Sequence, residues 1–376
     1  MNLAGIYLHI PFCRQSCHYC NFHFATSLRY KGEIVSAIEK EIALQKKYLA
    51  NEPIETIYFG GGTPSLLTDE ELHRLLRALN KNFTLVKDAE ITLEANPDDM
   101  EEAKLLQWQQ AGINRLSIGV QSFFDEDLQW MNRTHTAADA LRCIKTAQKY
   151  FDNITIDLIY GLPEQQNDQW KKNVDTALAL QIPHLSCYAL TVEPQTPLAK
   201  KIKSHQFKDV DPDKQSEQFL LLMDWLDEAG YEHYEISNFA KGQNIWRSRH
   251  NASYWQGKKY LGLGPSAHSY NGNERQWNVA NNNQYITSIN ENKMPAEKEI
   301  LTDLQKVNEY IMTAVRTIEG IQLENSLFDE KIKKEELIAK SKKFINGGLL
   351  IIKNESLQLT NAGKLLADGI ASELFF

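Results

Sequence analysis

Residues 6–20 read Ile6-Tyr7-Leu8-His9-Ile10-Pro11-Phe12-Cys13-Arg14-Gln15-Ser16-Cys17-His18-Tyr19-Cys20. The stretch begins as a β-strand pattern and runs directly into three cysteines, separated by three and then two residues. A loop with this spacing can place its thiols around one compact inorganic centre. A 4Fe-4S cluster is normally held by four thiolates, so three leave one iron with an exchangeable position. Cys13, Cys17 and Cys20 are therefore predicted to hold a cluster whose open iron can chelate a cofactor.

A structural zinc site is the alternative for the same cysteines. It would need His9, His18 or His23 as a further ligand. Zinc sites commonly contain paired Cys-x-x-Cys knuckles, and the sequence has no second pair. Cys143 and Cys187 are isolated and are predicted to be buried as small apolar residues. The spacing favours the cluster and leaves the zinc scaffold open.

Around this loop, short β-rich runs alternate with amphipathic helical patterns. Six repeats of strand and helix predict a parallel sheet with helical crossovers, arranged as a barrel, a partial barrel or an open doubly wound sheet. The predicted strands are residues 6–10, 56–59, 91–94, 115–119, 154–159 and 184–190. The predicted helices between them are residues 31–48, 69–79, 98–111, 137–150 and 168–179.

The pattern changes after residue 270. Residues 271–298 are rich in Asn and Glu and are predicted to be a connecting segment, with a domain boundary near residue 285. This divides the chain into a domain of residues 1–285, which carries the cluster, and a small helical domain of residues 286–376. In the second domain, helices are predicted at 302–318, 334–345 and 360–374, and two short strands at 349–352 and 357–359 form a wing.

Composition excludes several classes of protein. A net charge of −8 and a pI near 5.8 argue against a partner with a nucleic acid backbone. The first residues lack the basic region of a signal peptide, and no apolar run approaches the ~18 residues of a membrane span. The predicted compartment is the cytoplasm.

Candidate ligand residues follow the predicted strands. Gly60-Gly61-Gly62-Thr63-Pro64 could bring backbone N–H groups close to a ligand, or could be only a tight turn. A carboxylate suits ribose hydroxyls and an arginine suits a carboxylate, although each could equally form an ordinary ion pair. Asp157 is the strongest candidate for a ligand contact, because a carboxylate inside an apolar strand is costly unless it is paired. The further candidates at strand ends are Glu94, Gln121, Arg133 and Asp157.

The cysteine loop resembles the signature of the radical S-adenosylmethionine (SAM) superfamily. Further segments resemble one branch of this superfamily, which contains the oxygen-independent coproporphyrinogen III oxidases and the haem chaperones called HemW. The segments that carry this resemblance are residues 60–64, 119–123, 157–163, 186–198 and 260–269. The resemblance implies an α/β fold, a partial (β/α)6-type barrel with a winged-helix-like C-terminal domain. It also implies a 4Fe-4S cluster on the three cysteines. The implied SAM contacts are Tyr7, Gly61, Gly62, Thr63, Glu94, Gln121, Arg133 and Asp157.

Three departures from the oxidase favour the haem chaperones. Phe22 stands where the oxidase has a further cysteine, and the first strand begins too near Met1 for the oxidase's N-terminal arm. Residues 249–255 resemble the His-Asn-x-x-Tyr-Trp motif of the chaperones, which implies that His250 takes part in haem binding. Spacing alone favours a loop in which His250 makes local hydrogen bonds, and whether it coordinates iron stays open.

The resemblance therefore predicts a chaperone that binds haem, the cluster and SAM and delivers haem to respiratory haem proteins. An oxidase-like enzyme of porphyrin biosynthesis is the alternative, so whether the protein is an enzyme stays open, as does cleavage of SAM. Expected partners are haem-receiving clients and an electron donor, with peripheral association at membrane-bound clients. A monomer and a homodimer are both compatible with the sequence.

Overall fold

The computed structural model describes residues 3–328 and 331–376. Its strands are β1 (Ala4–Ile10), β2 (Ile54–Gly61), β3 (Leu85–Ala95), β4 (Arg115–Gln121), β5 (Ile154–Tyr160), β6 (His184–Ala189), β7 (Glu232–Glu235), β8 (Asn238–Ala240), β9 (Tyr260–Leu263), β10 (His268–Tyr270), β11 (Glu274–Asn278), β12 (Ala296–Ile300), β13 (Ile321–Gln322), β14 (Leu350–Lys353) and β15 (Ser356–Leu359).

The helices connect and cover these strands. They are α1 (Lys31–Leu44), α2 (Asp69–Asn82), α3 (Glu102–Ala111), α4 (Asp125–Trp130), α5 (Ala137–Ala147), α6 (Asn167–Ala179), α7 (Pro197–Lys203), α8 (Pro212–Glu228), α9 (Arg249–Trp255), α10 (Asn282–Asn290), α11 (Asp303–Ala314), α12 (Lys331–Asn346), α13 (Asn361–Lys364) and α14 (Ala367–Leu374). Among the described residues, no helix is long and apolar enough to cross a membrane.

The large sheet has twelve strands in the order β12-β11-β10-β9-β1-β2-β3-β4-β5-β6-β8-β7. Strands β1 to β6 are the six predicted strands, and each pairs in parallel with the next. Their order follows the chain because each helical crossover returns to the neighbouring position. The sheet curves into a partial barrel that the described strands do not close by hydrogen bonds. This confirms the predicted fold.

Local signals explain where the crossover helices begin. Thr68 caps α2 and Thr136 caps α5, and each side chain accepts a hydrogen bond from a backbone N–H in the first turn. In both helices the carboxylate of the third residue accepts a hydrogen bond from the backbone N–H of the cap, which completes a capping box. The predicted helix starts at residues 69 and 137 are therefore confirmed.

Residues 271–298 are not a connecting segment, so that prediction was wrong. They form β11, α10 and the start of β12, and β11 pairs with β10 and β12. Tyr285 and Ile289 are fully buried in the main apolar core. The Asn-rich composition is typical of a loop, but burial of these two side chains overrides the weak local preference.

A second apolar core belongs to the C-terminal part of the chain. It begins at Val307 and includes Leu350, Leu357 and Leu374. Around it, α11, α12 and α14 pack with a small antiparallel sheet of order β13-β15-β14. The predicted last helix is divided into α13 and α14. The boundary near residue 285 stays a prediction, and the place of Tyr285 in the main core favours a boundary closer to residue 303.

Candidate cluster and cofactor site

The parallel strands have an apolar outer face and a polar inner face. In β4, Leu116, Ile118 and Val120 are buried in the main core. The residues between them point to the opposite face, because side chains alternate along a strand. Ser117, Gly119 and Gln121 accordingly line a cavity inside the partial barrel. The alternation explains why polar residues occur in strands that are otherwise apolar.

The cysteine loop lies over this polar face at the ends of the strands. The Cys13 N–H donates to the Ala25 carbonyl (3.1 Å), and the His18 N–H donates to the Met131 carbonyl (3.1 Å). The first bond connects the two ends of the loop, and the second attaches the loop to the segment after α4. Cys13, Cys17 and Cys20 are half-buried, and all three line the cavity, which has a volume of about 430 Å³.

Side chains from other segments of the described structure donate hydrogen bonds to the sulfur atoms. The Thr63 hydroxyl donates to Cys13 Sγ (3.4 Å), and Arg133 Nη1 donates to Cys17 Sγ (3.4 Å). Burial raises the pKa of the Cys13 thiol to about 11 and also raises the pKa of Cys20. Both thiols are thus protonated near neutral pH unless iron displaces the proton. Donors aimed at sulfur are the outer contacts that orient cluster thiolates.

The geometry does not support the zinc alternative. Within the described residues, no three His, Cys, Asp or Glu side chains are gathered closely enough to hold one metal ion. The candidate histidines are engaged elsewhere: His9 bonds to Tyr7 and to the His23 carbonyl, and His18 bonds to the Trp130 carbonyl. Three thiols along the wall of one cavity fit the separate irons of a cluster better than a single zinc ion.

Cys143 and Cys187 are buried in the apolar core, as predicted. Both lie on the outer side of the sheet and line neither the cysteine cavity nor its neighbour. They are structural residues.

Arg133 connects the cluster loop to the strand ends. Its Nη2 donates to Asn96 Oδ1 (2.8 Å) and to the Gly119 carbonyl (2.7 Å). Its Nε is buried and has no partner among the described residues. A buried donor without a partner is costly, so this atom marks a position where a bound acceptor such as a carboxylate would be stabilised.

Two carboxyl groups face the same cavity. Burial raises the pKa of Glu94 to about 7, although Tyr58 Oη (2.8 Å) and the Gly61 N–H (3.2 Å) donate to it. Burial also raises the pKa of Asp157 to about 6. Asp157 is not enclosed by apolar side chains, because it lies on the polar inner face beside Ser186 of the neighbouring strand. Hydroxyl groups of a ligand could satisfy both carboxylates.

The glycine run has a different role from the one expected of its N–H groups. The Gly61 N–H donates to Glu94, and the Gly62 N–H donates to the Ile10 carbonyl (3.0 Å). Gly61 has φ 105°, and a Cβ there would lie 2.4 Å from Nδ1 of His9. A Cβ on Gly62 would meet the Phe12 backbone at 2.6 Å. These glycines allow close backbone packing.

Among the predicted SAM contacts, Gly61, Gly62, Thr63, Glu94, Gln121, Arg133 and Asp157 all line the cysteine cavity. Gln121 adopts a left-handed conformation (φ 68°) at the end of β4. Tyr7 is separate from this set, because it lines a neighbouring cavity and its hydroxyl contacts Nδ1 of His9 (3.1 Å). The structure thus brings seven of the eight residues together, and their contact with SAM stays a prediction.

His250 lies in neither cavity. It is 1% exposed, its Nδ1 is hydrogen-bonded to Thr56 Oγ1 (2.8 Å), and its Nε2 is hydrogen-bonded to the Tyr254 hydroxyl (2.8 Å). The ring stacks on Tyr58 at 4.9 Å between centroids, and burial lowers its pKa to about 3. The structure therefore shows His250 in local hydrogen bonds, which is the arrangement that its spacing alone favours. A role of His250 in haem binding stays a prediction.

The neighbouring cavity, called here the second cavity, lies between the barrel and the C-terminal core. Its volume is about 830 Å³, and Asn21 and Phe22 line it as well as the cysteine cavity. Its wall combines aromatic and basic side chains from both parts of the chain, among them Trp255, Tyr260, Arg275 and Lys306. The two cavities therefore share one wall, which is the end of the cysteine loop.

Sequence reasoning missed several residues of the cysteine cavity. Asn96 bonds Arg133, and Ser117 and Tyr188 line the inner wall. Ser117 and Tyr188 could have been found from the strand period of two, because Ser117 shares the face of Gln121 and Tyr188 shares the face of Ser186. The second cavity had no comparable signal, since its residues come from distant segments.

Comparison with known proteins places these features in a family. Residues 7–177 match the Radical SAM superfamily. The chain is 33% identical over 375 residues to the heme chaperone HemW of Bacillus subtilis (98% of each chain), and 34% identical over 376 residues to that of Mycobacterium tuberculosis (98% of this chain, 94% of the relative).

Among solved structures, coproporphyrinogen III oxidase (HemN) from Escherichia coli superposes with a TM-score of 0.85 at 23% identity, covering 100% of this chain and 90% of the oxidase. This likeness confirms the fold, which is that of a radical SAM barrel. The full-length similarity to the chaperones is closer in sequence. The chain belongs to the radical SAM superfamily and, within it, to the family of the HemW haem chaperones.

Proposed function

We propose that this chain is a cytoplasmic haem chaperone that binds haem, a 4Fe-4S cluster and SAM and transfers the haem to respiratory haem proteins. The observation that carries the proposal is the pair of cavities that share Asn21 and Phe22 as a wall. One has thiols, carboxylates and an arginine, and the other is wide, aromatic and basic. The homology to proteins named heme chaperones supports the same function.

The residues of the cysteine cavity fit the two cofactors that the family implies. Cys13, Cys17 and Cys20 would hold the cluster, and Thr63 and Arg133 would donate hydrogen bonds to its sulfur ligands. When bound, the cluster supplies an iron that chelates SAM and an electron for it. The unpartnered Nε–H of Arg133 would donate to a carboxylate of the bound cofactor.

The carboxyl groups of Glu94 and Asp157 would orient the nucleoside. Each has a pKa raised by burial, so each gains from a ligand hydroxyl that donates to its charged form. Gly61 and Gly62 keep the backbone close to the cluster loop without a side chain between them. These residues bind and orient the cofactor, while its chemistry belongs to the cluster and SAM.

A haem titration of anaerobically reconstituted protein tests the proposal. We expect a saturable Soret change, and transfer of the bound haem to an apo-form of a b-type haem protein when the two are mixed. The variant Cys17→Ala should lose cluster absorbance, whereas Cys143→Ala, which removes a thiol in the apolar core, should retain it. Absence of saturable haem binding with and without the cluster would refute the proposal.

The oxidase alternative predicts that reconstituted protein supplied with coproporphyrinogen III, SAM and a reductant forms protoporphyrinogen. The chaperone proposal predicts that no protoporphyrinogen is formed. Formation of that product at the rate of a true oxidase would show that the chain is an enzyme of porphyrin biosynthesis and would replace the chaperone proposal.

A further inference from the structure

One face of the strands β9 to β11 forms a wall of the second cavity. In β10, His268 and Tyr270 flank Ser269, which is 1% exposed and points to the other side. The cross-strand partners of His268 and Tyr270 are Trp277 and Arg275. His268, Tyr270 and Arg275 consequently project together into the second cavity.

Three histidines line this cavity, and they differ in the state of their ring nitrogens. Both nitrogens of His9 are hydrogen-bonded, and Nε2 of His23 is bonded to Asn282 Oδ1 (2.8 Å). Among the described residues, only His268 of the three has both nitrogens without a partner. An axial ligand needs a free nitrogen lone pair on a neutral ring, and His268 is the histidine that offers one.

The surroundings of His268 keep its ring accessible and oriented. The residue is exposed, and its ring stacks on Trp277 with centroids 6.2 Å apart at 25°. Partial burial of the ring and the neighbouring charge of Arg275 lower the pKa of His268, so the ring is neutral near neutral pH. A stacked, neutral imidazole loses little freedom when it binds a metal centre.

The rest of the wall suits a flat and largely apolar ligand. Tyr7, Tyr254, Trp255, Tyr260 and Tyr310 all line the cavity. Tyr254 and Tyr260 pack edge to face at 4.6 Å, which presents the rings as a continuous surface. The volume of about 830 Å³ lies within the range of about 300–1,000 Å³ that is usual for cofactor sites.

The charged groups of the wall favour a ligand with carboxylates. Its cations are Arg275, Lys258 and Lys306, and Glu309 is the one acid among the described lining residues. Arg275 Nη2 pairs with Glu309 Oε2 (2.9 Å), but Arg275 Nε is buried and has no partner. Lys306 contacts Asn273 Oδ1 (3.1 Å) and Asp303 (3.6 Å), whose carboxylate side chain is almost fully exposed.

We propose that His268 is the axial iron ligand of a haem seated in the second cavity, with the haem propionates directed to Arg275 and Lys306. This assignment rests on the proposed function, and it differs from coordination by His250, whose two ring nitrogens are both hydrogen-bonded inside the barrel. Haem at this position would lie against Phe22 and so directly beside the cysteine loop.

The test is a titration of the full-length reconstituted protein with ferric haem b. Its readouts are the affinity and the optical and electron paramagnetic resonance spectra of the bound iron. His268→Ala should weaken binding by about tenfold or more and abolish the histidine-ligated spectrum, and added imidazole should restore that spectrum. The matched control is His73→Ala, which removes a half-exposed histidine from α2 and should leave both readouts unchanged.

A second arm tests the propionates. Arg275→Gln should weaken binding of haem b by several-fold, but it should not weaken binding of haem dimethyl ester, whose propionates are uncharged. Equal loss for both probes would contradict the proposed orientation.

The outcomes separate the inference from the function on which it rests. If wild-type protein binds no haem, the proposed function fails. If wild-type protein binds haem and His268→Ala retains the same affinity and spectrum, the function stands and the His268 assignment is wrong. Loss of the histidine-ligated spectrum in His250→Ala, but not in His268→Ala, would overturn the assignment in favour of the motif histidine.

Discussion

Replacement of His250 by alanine tests whether this residue is a structural part of the barrel. The change leaves the Thr56 hydroxyl, which is fully buried, and the Tyr254 hydroxyl without their partner. Each unsatisfied group costs about 1–3 kcal/mol, and the lost packing against Tyr58 adds about 1–2 kcal/mol. Because these effects overlap, we expect the free energy of unfolding to fall by about 3–5 kcal/mol.

Urea unfolding of cluster-free protein under reducing conditions, followed by circular dichroism, measures this loss. His250→Gln retains an amide that can reach Tyr254, so it should cost only about 1–2 kcal/mol. The control His73→Ala should change stability by less than about 0.5 kcal/mol. A loss below about 1 kcal/mol for His250→Ala would show that the hydrogen bonds of His250 do not stabilise the barrel.

The same variant has a defined pH dependence. The pKa of His250 is lowered from 6.5 to about 3 in the folded protein, so the unfolded chain binds the proton more readily. The stabilising contribution of His250 is full above pH 6.5 and declines as the pH falls towards 3. The deficit of His250→Ala should therefore shrink by about 2 kcal/mol between pH 7 and pH 5, at about 1.4 kcal/mol per unit. A deficit independent of pH would refute the neutral, buried state of the ring.

Three further changes probe the cysteine cavity. Glu94→Gln should stabilise cofactor-free protein by about 2–3 kcal/mol above pH 7, as measured by urea unfolding. The gain in stability should grow from pH 4.5 to 7, because the pKa of Glu94 is raised to about 7 in the folded protein. The same substitution should weaken SAM binding about tenfold. Arg133→Gln removes the donor to Cys17, so a chelator should extract the cluster about tenfold faster, as followed by its visible absorbance. Gly61→Ala places a Cβ at φ 105° and 2.4 Å from His9, and it should lower the free energy of unfolding in urea by about 2–5 kcal/mol. The control Gly112→Ala has φ 99° but open space around the Cβ, so it should lower this free energy by only about 1–2 kcal/mol.

Local patterns were sufficient where the signal lies within a few residues. The six parallel strands and their crossover helices follow from the periods of 2 and 3.6 residues and from caps such as Thr68 and Thr136. The same reasoning failed at residues 271–298, because the elements there are held by distant contacts: α10 packs on α1, and β11 pairs with β10 and β12. Asn-rich composition carries no information about such partners.

The candidate cluster ligands can be identified without a structure, since Cys13, Cys17 and Cys20 share one short loop, and so can the polar residues at the strand ends. Which histidine is enclosed and which is accessible depends on the tertiary structure. His250 is enclosed because Thr56 and Tyr254 occupy its two nitrogens. His268 is accessible because its strand lies at the edge of a cavity that the C-terminal core completes. Hydrogen bonding and exposure depend on neighbours from distant parts of the chain, and a motif does not specify those neighbours.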